Sequence, residues 1–312
     1  MRNGHANNQS LVGRRLVLSI IVTFAFVFGE AIAGLFSHSL ALLSDSAHNF
    51  ADALALVLSW YGVRVARRPS TSERTFGYHR VGILAALVNA VSLVIIALLI
   101  FWEALSRLRA PEPVHSIPMI VVAMIAVLMN TVISLWLKGE AKHDLNVRSA
   151  YMHMVGDAIS AAGVVFAGIV VATTGSYVAD PVVSILIGIL ILWSSWAILK
   201  ESVNVLLEGI PAGLSIPSLH DSIGKVHGVL AVHDLHVWTI GSGITCCSCH
   251  IMVAEQTIRS GDQVLRAVNE ELNHHFGISH TTIQVEVEGC DRDDMYCALK
   301  ATRNSHVEEH HH

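Results

Sequence analysis

A six-helix membrane domain followed by a small soluble α+β domain is the architecture this sequence predicts, and three observations predict it. Of 312 residues, 53% are hydrophobic and only 14% are charged, against about 25% charged in an ordinary soluble domain. The deficit is local: residues 16–200 are long apolar runs broken by short polar links, whereas 201–300 have the composition of a soluble protein. Apolar and polar residues in that second part alternate as helix, strand, strand, helix, strand, which folds as a sheet with helices on one face.

A membrane-spanning helix needs about 20 predominantly apolar residues. Six stretches qualify: 15–36, 40–66, 81–107, 117–138, 147–173 and 179–200. Pro111, Pro113 and Pro118 punctuate the link between the third and fourth, and Pro181 stands in the first turn of the sixth, where proline is tolerated. The first apolar run lacks a small-residue cleavage site after it and reads as a retained helix rather than a signal peptide. In the soluble part, residues 215–227 and 261–276 read as helices, and 229–240, 244–254 and 280–288 as strands. The expected domains are a tail at 1–14, the helical domain at 15–200, the α+β domain at 201–290 and a C-terminal tail at 291–312. That tail ends in Val307 to His312, which reads as an appended tag remnant.

Lys and Arg set the orientation. Arg14 and Arg15 precede the first span; Arg64, Arg67, Arg68, Arg74 and Arg80 crowd the link from second to third. Lys138, Lys142 and Arg148 lie between fourth and fifth, and Lys200 follows the sixth. The opposite links hold almost none: 36–39 and 173–179 have no Lys or Arg, and only Arg107 and Arg109 flank the remaining one. Basic links face the cytoplasm, so both termini are expected there, in a multi-pass protein of the cell's inner membrane. A net charge of −5 gives no nucleic-acid signal. All five cysteines (Cys246, Cys247, Cys249, Cys290 and Cys297) fall in the soluble part; an odd number there fits reduced cytosolic thiols better than a disulfide framework.

The chemistry sits where it is most costly. The second span contains His48 and Asp52, the fifth His153 and Asp157, each pair four residues apart. Residues at i and i+4 share a helix face, so each helix presents an imidazole beside a carboxylate. Two such helices face to face would make an N₂O₂ cage, a donor set zinc accepts in tetrahedral geometry. A charged group at the bilayer centre costs at least about 2.5–3.5 kcal/mol, so intramembrane ionisable residues usually mark an ion path. Asp45, three residues before His48, shares its face and is expected to support the cage rather than ligate. Glu30, Asn49, Asn89 and Asn130 are expected to hydrogen-bond between helices, and Gly29, Gly34, Gly156 and Gly163 to permit close helix packing.

These residues, with the stretches Ser39 to His48, Thr75 to Arg80, Asn204 to Gly209, His233 to Trp238 and His280 to Gln284, resemble the cation diffusion facilitator family of zinc transporters from about residue 14 to 290. The resemblance implies a homodimer with a ferredoxin-like cytoplasmic domain that exchanges a divalent cation for protons across the membrane, Zn²⁺ being transported cargo and regulatory ligand. It carries the transport site onto His48, Asp52, His153 and Asp157. It maps a cytoplasmic metal site onto His236, His250, His280 and Glu286, with Cys290 and Cys297 as further ligands. The His at position 48 points to zinc over cadmium. Two features depart from the family: Ser70 to Tyr78 contains no Asp or His, so no metal site is expected in that link, and His-rich segments are missing, with only His5 and His143 in the tail and the fourth link.

Proton coupling would follow from competition, because metal binding requires neutral imidazole and ionised carboxylate, and imidazole titrates near neutral pH. An ATP-driven pump is disfavoured, since there is no Gly-x-x-x-x-Gly-Lys-Ser/Thr loop. The alternatives are an intramembrane metalloenzyme, which the lack of a His-Glu-x-x-His motif disfavours, and a divalent-cation channel, which needs weaker and multiple sites.

Overall fold

The computed structural model describes residues 23–139, 141, 145–241 and 243–287. The chain divides into two compact units, Met1–Val65 with Leu84–Ser202, and Ala66–Ile83 with Val203–His312.

The first unit is built from α1 (Thr23–Ser37 as described), α2 (Leu40–Ala66), α3 (Val81–Arg109), α4 (Ser116–Leu137), α5 (Leu145–Thr174) and α6 (Ala179–Leu206). Among the described residues, α3, α4, α5 from Ala150 and α6 are each long and apolar enough to cross a membrane. Large apolar side chains cover their outside: Trp102, Trp136 and Trp193 are 77–79% exposed, a surface suited to hydrocarbon rather than water. Inside, small residues let the helices approach. A Cβ at Gly34 would lie 2.9 Å from the Leu43 side chain, at Gly168 2.6 Å from Ile120, and at Gly188 2.7 Å from Phe101. This corrects the expectation for Gly29 and Gly156, which meet nothing within 4 Å; Gly163 is in ordinary contact with Val183. Glycine composition does not say which face of a helix is crowded.

The N-terminus of α2 is tied down from two sides. Ser39 caps it, its Oγ accepting from Leu42 N at 3.1 Å. The buried Asp180 of α6 accepts from Ser39 Oγ at 2.6 Å and from the amides of Leu40 at 2.7 Å and Ala41 at 3.1 Å. A carboxylate is favoured there by the orphan amides and the helix dipole. Arg107, at the end of α3, donates to the His38 carbonyl at 2.6 Å. Asn49 donates to Glu30 Oε2 at 3.1 Å, joining α2 to α1 as expected of that pair, whereas the buried Asn89 Oδ1 has no hydrogen-bond partner, against the expectation for it.

The second unit follows the expected order: α7 (Ile216–Gly224), β1 (Ala231–Gly241), β2 (Ile244–Met252), α8 (Ile258–Phe276) and β3 (His280–Glu286). This is the ferredoxin-like pattern without its first strand among the described residues. The sheet order is β1-β2-β3, with β1 antiparallel to β2 and β2 parallel to β3 through α8. One face packs its core: Leu235, Val237, Cys247, Cys249 and Ile251 against Leu219 and Ile223 of α7 and Val268 and Leu272 of α8. Thr257 caps α8, accepting from Ser260 N at 3.3 Å, and Gly277 ends it in the left-handed conformation at φ 66°. All three described cysteines are buried; burial pushes the Cys246 thiol up, and the Cys247–Cys249 hydrogen bond with burial pushes Cys247 up as well. The link between α2 and α3 belongs to this unit. Phe76 meets the His280 ring edge-on at 5.9 Å, Arg80 pairs with Glu208 at 2.8 Å, and a Cβ at Gly241 would lie 2.7 Å from that of His79.

Candidate metal centres

Helical periodicity stacks His48 on Asp52 in α2 and His153 on Asp157 in α5, and the two pairs face each other. His48 Nε2 lies 3.5 Å from Asp52 Oδ2 and 3.7 Å from Asp157 Oδ1. His153 Nε2 lies 3.5 Å from Asp52 Oδ2 and 3.6 Å from Asp157 Oδ2. The two rings stand nearly perpendicular, 6.3 Å between centroids. A tetrahedron of N and O ligands about 2.0–2.2 Å from zinc has edges of about 3.3–3.6 Å. The four nitrogen–oxygen distances are close to that spacing and beyond hydrogen-bond range. Asp157 turns a different oxygen to each ring, and one ligand atom each from His48, Asp52 and Asp157 lie within 4.8 Å of one another, with His153 at the more exposed edge of that group. His48 Nδ1 and Asp52 Oδ2 are buried without a hydrogen-bond partner. His48 is eight residues into α2, so the cage begins about 12 Å down the helix.

Asp45 lies one turn beyond the cage and is buried. Its Oδ1 accepts from Ser160 of α5 at 2.7 Å. The structure thus puts Asp45 beside the cage, held by a residue that the sequence reading did not single out.

A second cluster lies on the sheet face away from α7 and α8. His233 Nε2 is 3.1 Å from Glu286 Oε2, and His250 Nδ1 is 3.1 Å from Glu286 Oε1. The imidazoles of His233 and His250 are 5.1 Å apart at 81°. His233 Nε2, His250 Nδ1 and Glu286 Oε2 are buried and make no hydrogen bond. Two nitrogens and a carboxylate oxygen, desolvated and aimed at one another, fit a zinc ion.

Of the residues expected here, the structure brings together His250 and Glu286. His236 does not join them directly: its Nε2 lies 3.1 Å from Asp234 Oδ1, while Asp234 Oδ2 is 3.8 Å from His250. His280 lies against Phe76 instead, and Cys290 and Cys297 fall outside the described residues. The third member is His233, and a β-bulge puts it there. Between the pairs His233↔His250 and His236↔Ser248, β1 spends one residue more than β2. Asp234 absorbs the extra residue in the left-handed region at φ 50°, which Asp tolerates better than most residues. Strict alternation would put His233 and His236 on opposite faces; the bulge turns both to the face of His250. Its only sequence signal is an Asp interrupting a strand between two histidines.

Comparison with known proteins bears on both units. The family model described as the cation efflux transmembrane domain matches residues 16–207, and that of the cation efflux protein cytoplasmic domain matches 211–288. The chain is 38% identical to the zinc transporter ZitB of Pectobacterium atrosepticum, over 100% of this chain and 94% of that one. It is 34% identical to a cadmium, cobalt and zinc/H(+)-K(+) antiporter of Bacillus subtilis, over 99% of each. It is 35% identical to the metal cation efflux system protein CzcD of Cupriavidus metallidurans, over 94% of this chain and 93% of that one. A solved structure, the metal-bound C-terminal domain of the CzcD transporter, covers 23% of this chain and 99% of its own at 29% identity, with a TM-score of 0.22. With a helical domain, a cytoplasmic-type α+β domain and full-length relatives in agreement, the chain belongs to the cation efflux, or cation diffusion facilitator, family of transporters.

Proposed function

We propose that this protein exports Zn²⁺, or a divalent cation of similar chemistry, from the cytoplasm in exchange for protons, with His48, Asp52, His153 and Asp157 as the site that carries the ion. The observation that carries this reading is the set of four nitrogen–oxygen edges at 3.5–3.7 Å between α2 and α5. The cation is cargo. On the cytoplasmic side, neutral His48 and His153 and ionised Asp52 and Asp157 replace its water shell. Protons taken up on the far side compete for the same lone pairs and release it. Rocking of α2 and α5 alternates access, and a tight four-ligand site suits this better than it suits a pore.

Both termini lie in the cytoplasm of a cell with this protein in its inner membrane; the Lys and Arg distribution supports that orientation. Two copies assemble through their cytoplasmic domains. In each, His233, His250 and Glu286 hold a second ion, which supplies a positive charge and a fixed geometry to the open face of the sheet. Such an ion would screen the Glu286 carboxylate and tie β1, β2 and β3 together through His233, His250 and Glu286. Purified protein in sealed vesicles, loaded with a fluorescent zinc indicator, tests the reading. Zinc uptake that stalls when the pH gradient is collapsed supports exchange; uptake that ignores the gradient refutes it in favour of a channel.

A further inference from the structure

The cage is unequally exposed at its two ends. Asp52 and His153, on the side of the Ala66 end of α2, have side chains 29% and 46% exposed, whereas those of His48 and Asp157 are 16% and 9% exposed. One step further towards the Leu40 end, Leu42, Asp45, Ser160, Ala161 and Val164 are all buried. That seal contains the hydrogen bond from Ser160 Oγ to Asp45 Oδ1, 2.7 Å long. It continues the register of the cage: steps of three and four along α2, from 45 to 48 to 52, are answered by equal steps back along α5, from 160 to 157 to 153. The same two helices are therefore joined by the cage at one level and by a bond that uses no cage ligand at the next.

We propose that the Asp45–Ser160 hydrogen bond is the latch of the extracytoplasmic gate: it holds α2 and α5 together beyond the cage while the ion enters from the cytoplasmic end, and it breaks when the cage opens outward. This rests on the transport-site and orientation reading above. The physical case is that a rocking carrier must close one side of its site at a time, and the side sealed here is closed by apolar packing plus one directional bond. A charge-assisted hydrogen bond away from water is strong while made and is lost all at once when two helices part, which makes two discrete states rather than a continuum. Asp45 and Ser160 are positioning residues: they act on the cage through the helices that carry it.

The test uses the full-length chain in vesicles oriented as in the cell. Val164→Cys places a thiol one turn beyond Ser160, at a buried position. The native cysteines all lie between 246 and 297, on the cytoplasmic side, beyond reach of a membrane-impermeant maleimide added outside. In this background Ser160→Ala and Asp45→Ala are expected to raise the labelling rate about tenfold, the shift that losing about 1.4 kcal/mol from one of two states produces. Asp45→Asn, whose amide oxygen still accepts from the hydroxyl, should stay within about threefold of the parent, and the double variant should label no faster than the faster single one. Zinc affinity by calorimetry should be unchanged in all of them. Unchanged labelling in both alanine variants, or strictly additive effects, would overturn the latch with the cage assignment intact. Loss of zinc binding in Asp45→Ala would overturn it by making Asp45 a ligand. Labelling of Cys at 164 from the cytoplasmic side alone would overturn it through its premise, the orientation.

Discussion

Asp157→Asn is the substitution that asks most of the transport site. Asp157 is nearly buried and is the only α5 carboxylate that touches both imidazoles, 3.7 Å from His48 and 3.6 Å from His153. Asparagine keeps the volume and the packing of α5 but removes the charge and replaces a strong zinc donor by a weak one. Four-ligand zinc sites bind with about 10–16 kcal/mol at neutral pH, so one ligand is worth roughly 2.5–4 kcal/mol. The expected loss in affinity is about two to three orders of magnitude. Zinc titrated calorimetrically into the purified variant reads this directly, provided the cluster at His233, His250 and Glu286 is first removed by His250→Ala. Transport in vesicles should fall to background while the protein inserts and dimerises normally. Affinity within threefold of the parent, or transport at the parental rate, would refute the assignment.

His250→Ala alone should abolish one class of zinc sites in the same titration and weaken binding at the soluble domain at least tenfold, because it removes the nitrogen facing Glu286 Oε1 at 3.1 Å. Transport should be reduced but measurable, since this cluster is separate from the cage. Asp180→Ala leaves the Leu40 and Ala41 amides and the Ser39 hydroxyl without their acceptor. Loss of those bonds in a buried place should cost about 2–4 kcal/mol, seen as a lower thermal midpoint in detergent, whereas zinc affinity at the cage should change little.

The helical part was legible because its information is local. An apolar stretch of about 20 residues predicts a span without knowledge of its neighbours, as α3 to α6 show, whereas α2, 27 residues long and carrying Asp45, His48 and Asp52, falls short of that apolarity. The i,i+4 spacing predicts that His48 shares a face with Asp52. The facing of α2 and α5 needed only the matching of two identical patterns. What stayed hidden depends on partners. Gly168 and Gly188 are the close approaches because Ile120 and Phe101 stand opposite them, and nothing in α5 or α6 encodes that. His233 entered the soluble cluster through a bulge, a defect in periodicity that a period-two reading averages away. Ser160 was invisible for the same reason as the glycines: a serine in an apolar helix is ordinary until Asp45 is seen against it. The link from Ala66 to Ile83 reads as a loop between spans, yet it meets the sheet through Phe76 and His79 and the turn after α6 through Arg80, contacts with no sequence periodicity.

Spacing together with burial sets the cage apart from the ion pairs elsewhere in this chain, since His48 Nδ1 and Asp52 Oδ2 are buried without a hydrogen-bond partner. Arg80 to Glu208, Arg107 to Glu103 and Arg266 to Asp262 close to 2.8 Å, the spacing of charge-assisted hydrogen bonds, whereas Arg107 to Glu112 and His275 to Glu271, each with one partner about half-exposed or more, stay at 3.5 and 3.6 Å. The four edges of the cage stay at 3.5–3.7 Å, although a buried pair gains more from contact than an exposed one. The packing of the α2 and α5 backbones sets that separation. Groups held apart at this range gain little from one another and much from an ion placed between them. Cobalt(II) in place of zinc makes the argument measurable. Bound by two nitrogens and two oxygens in tetrahedral geometry, it should give intense visible absorption in the His250→Ala background, and Asp157→Asn should erase it. A weak octahedral spectrum in the parent would mean that the four side chains do not close on one ion, and the cage reading would fall.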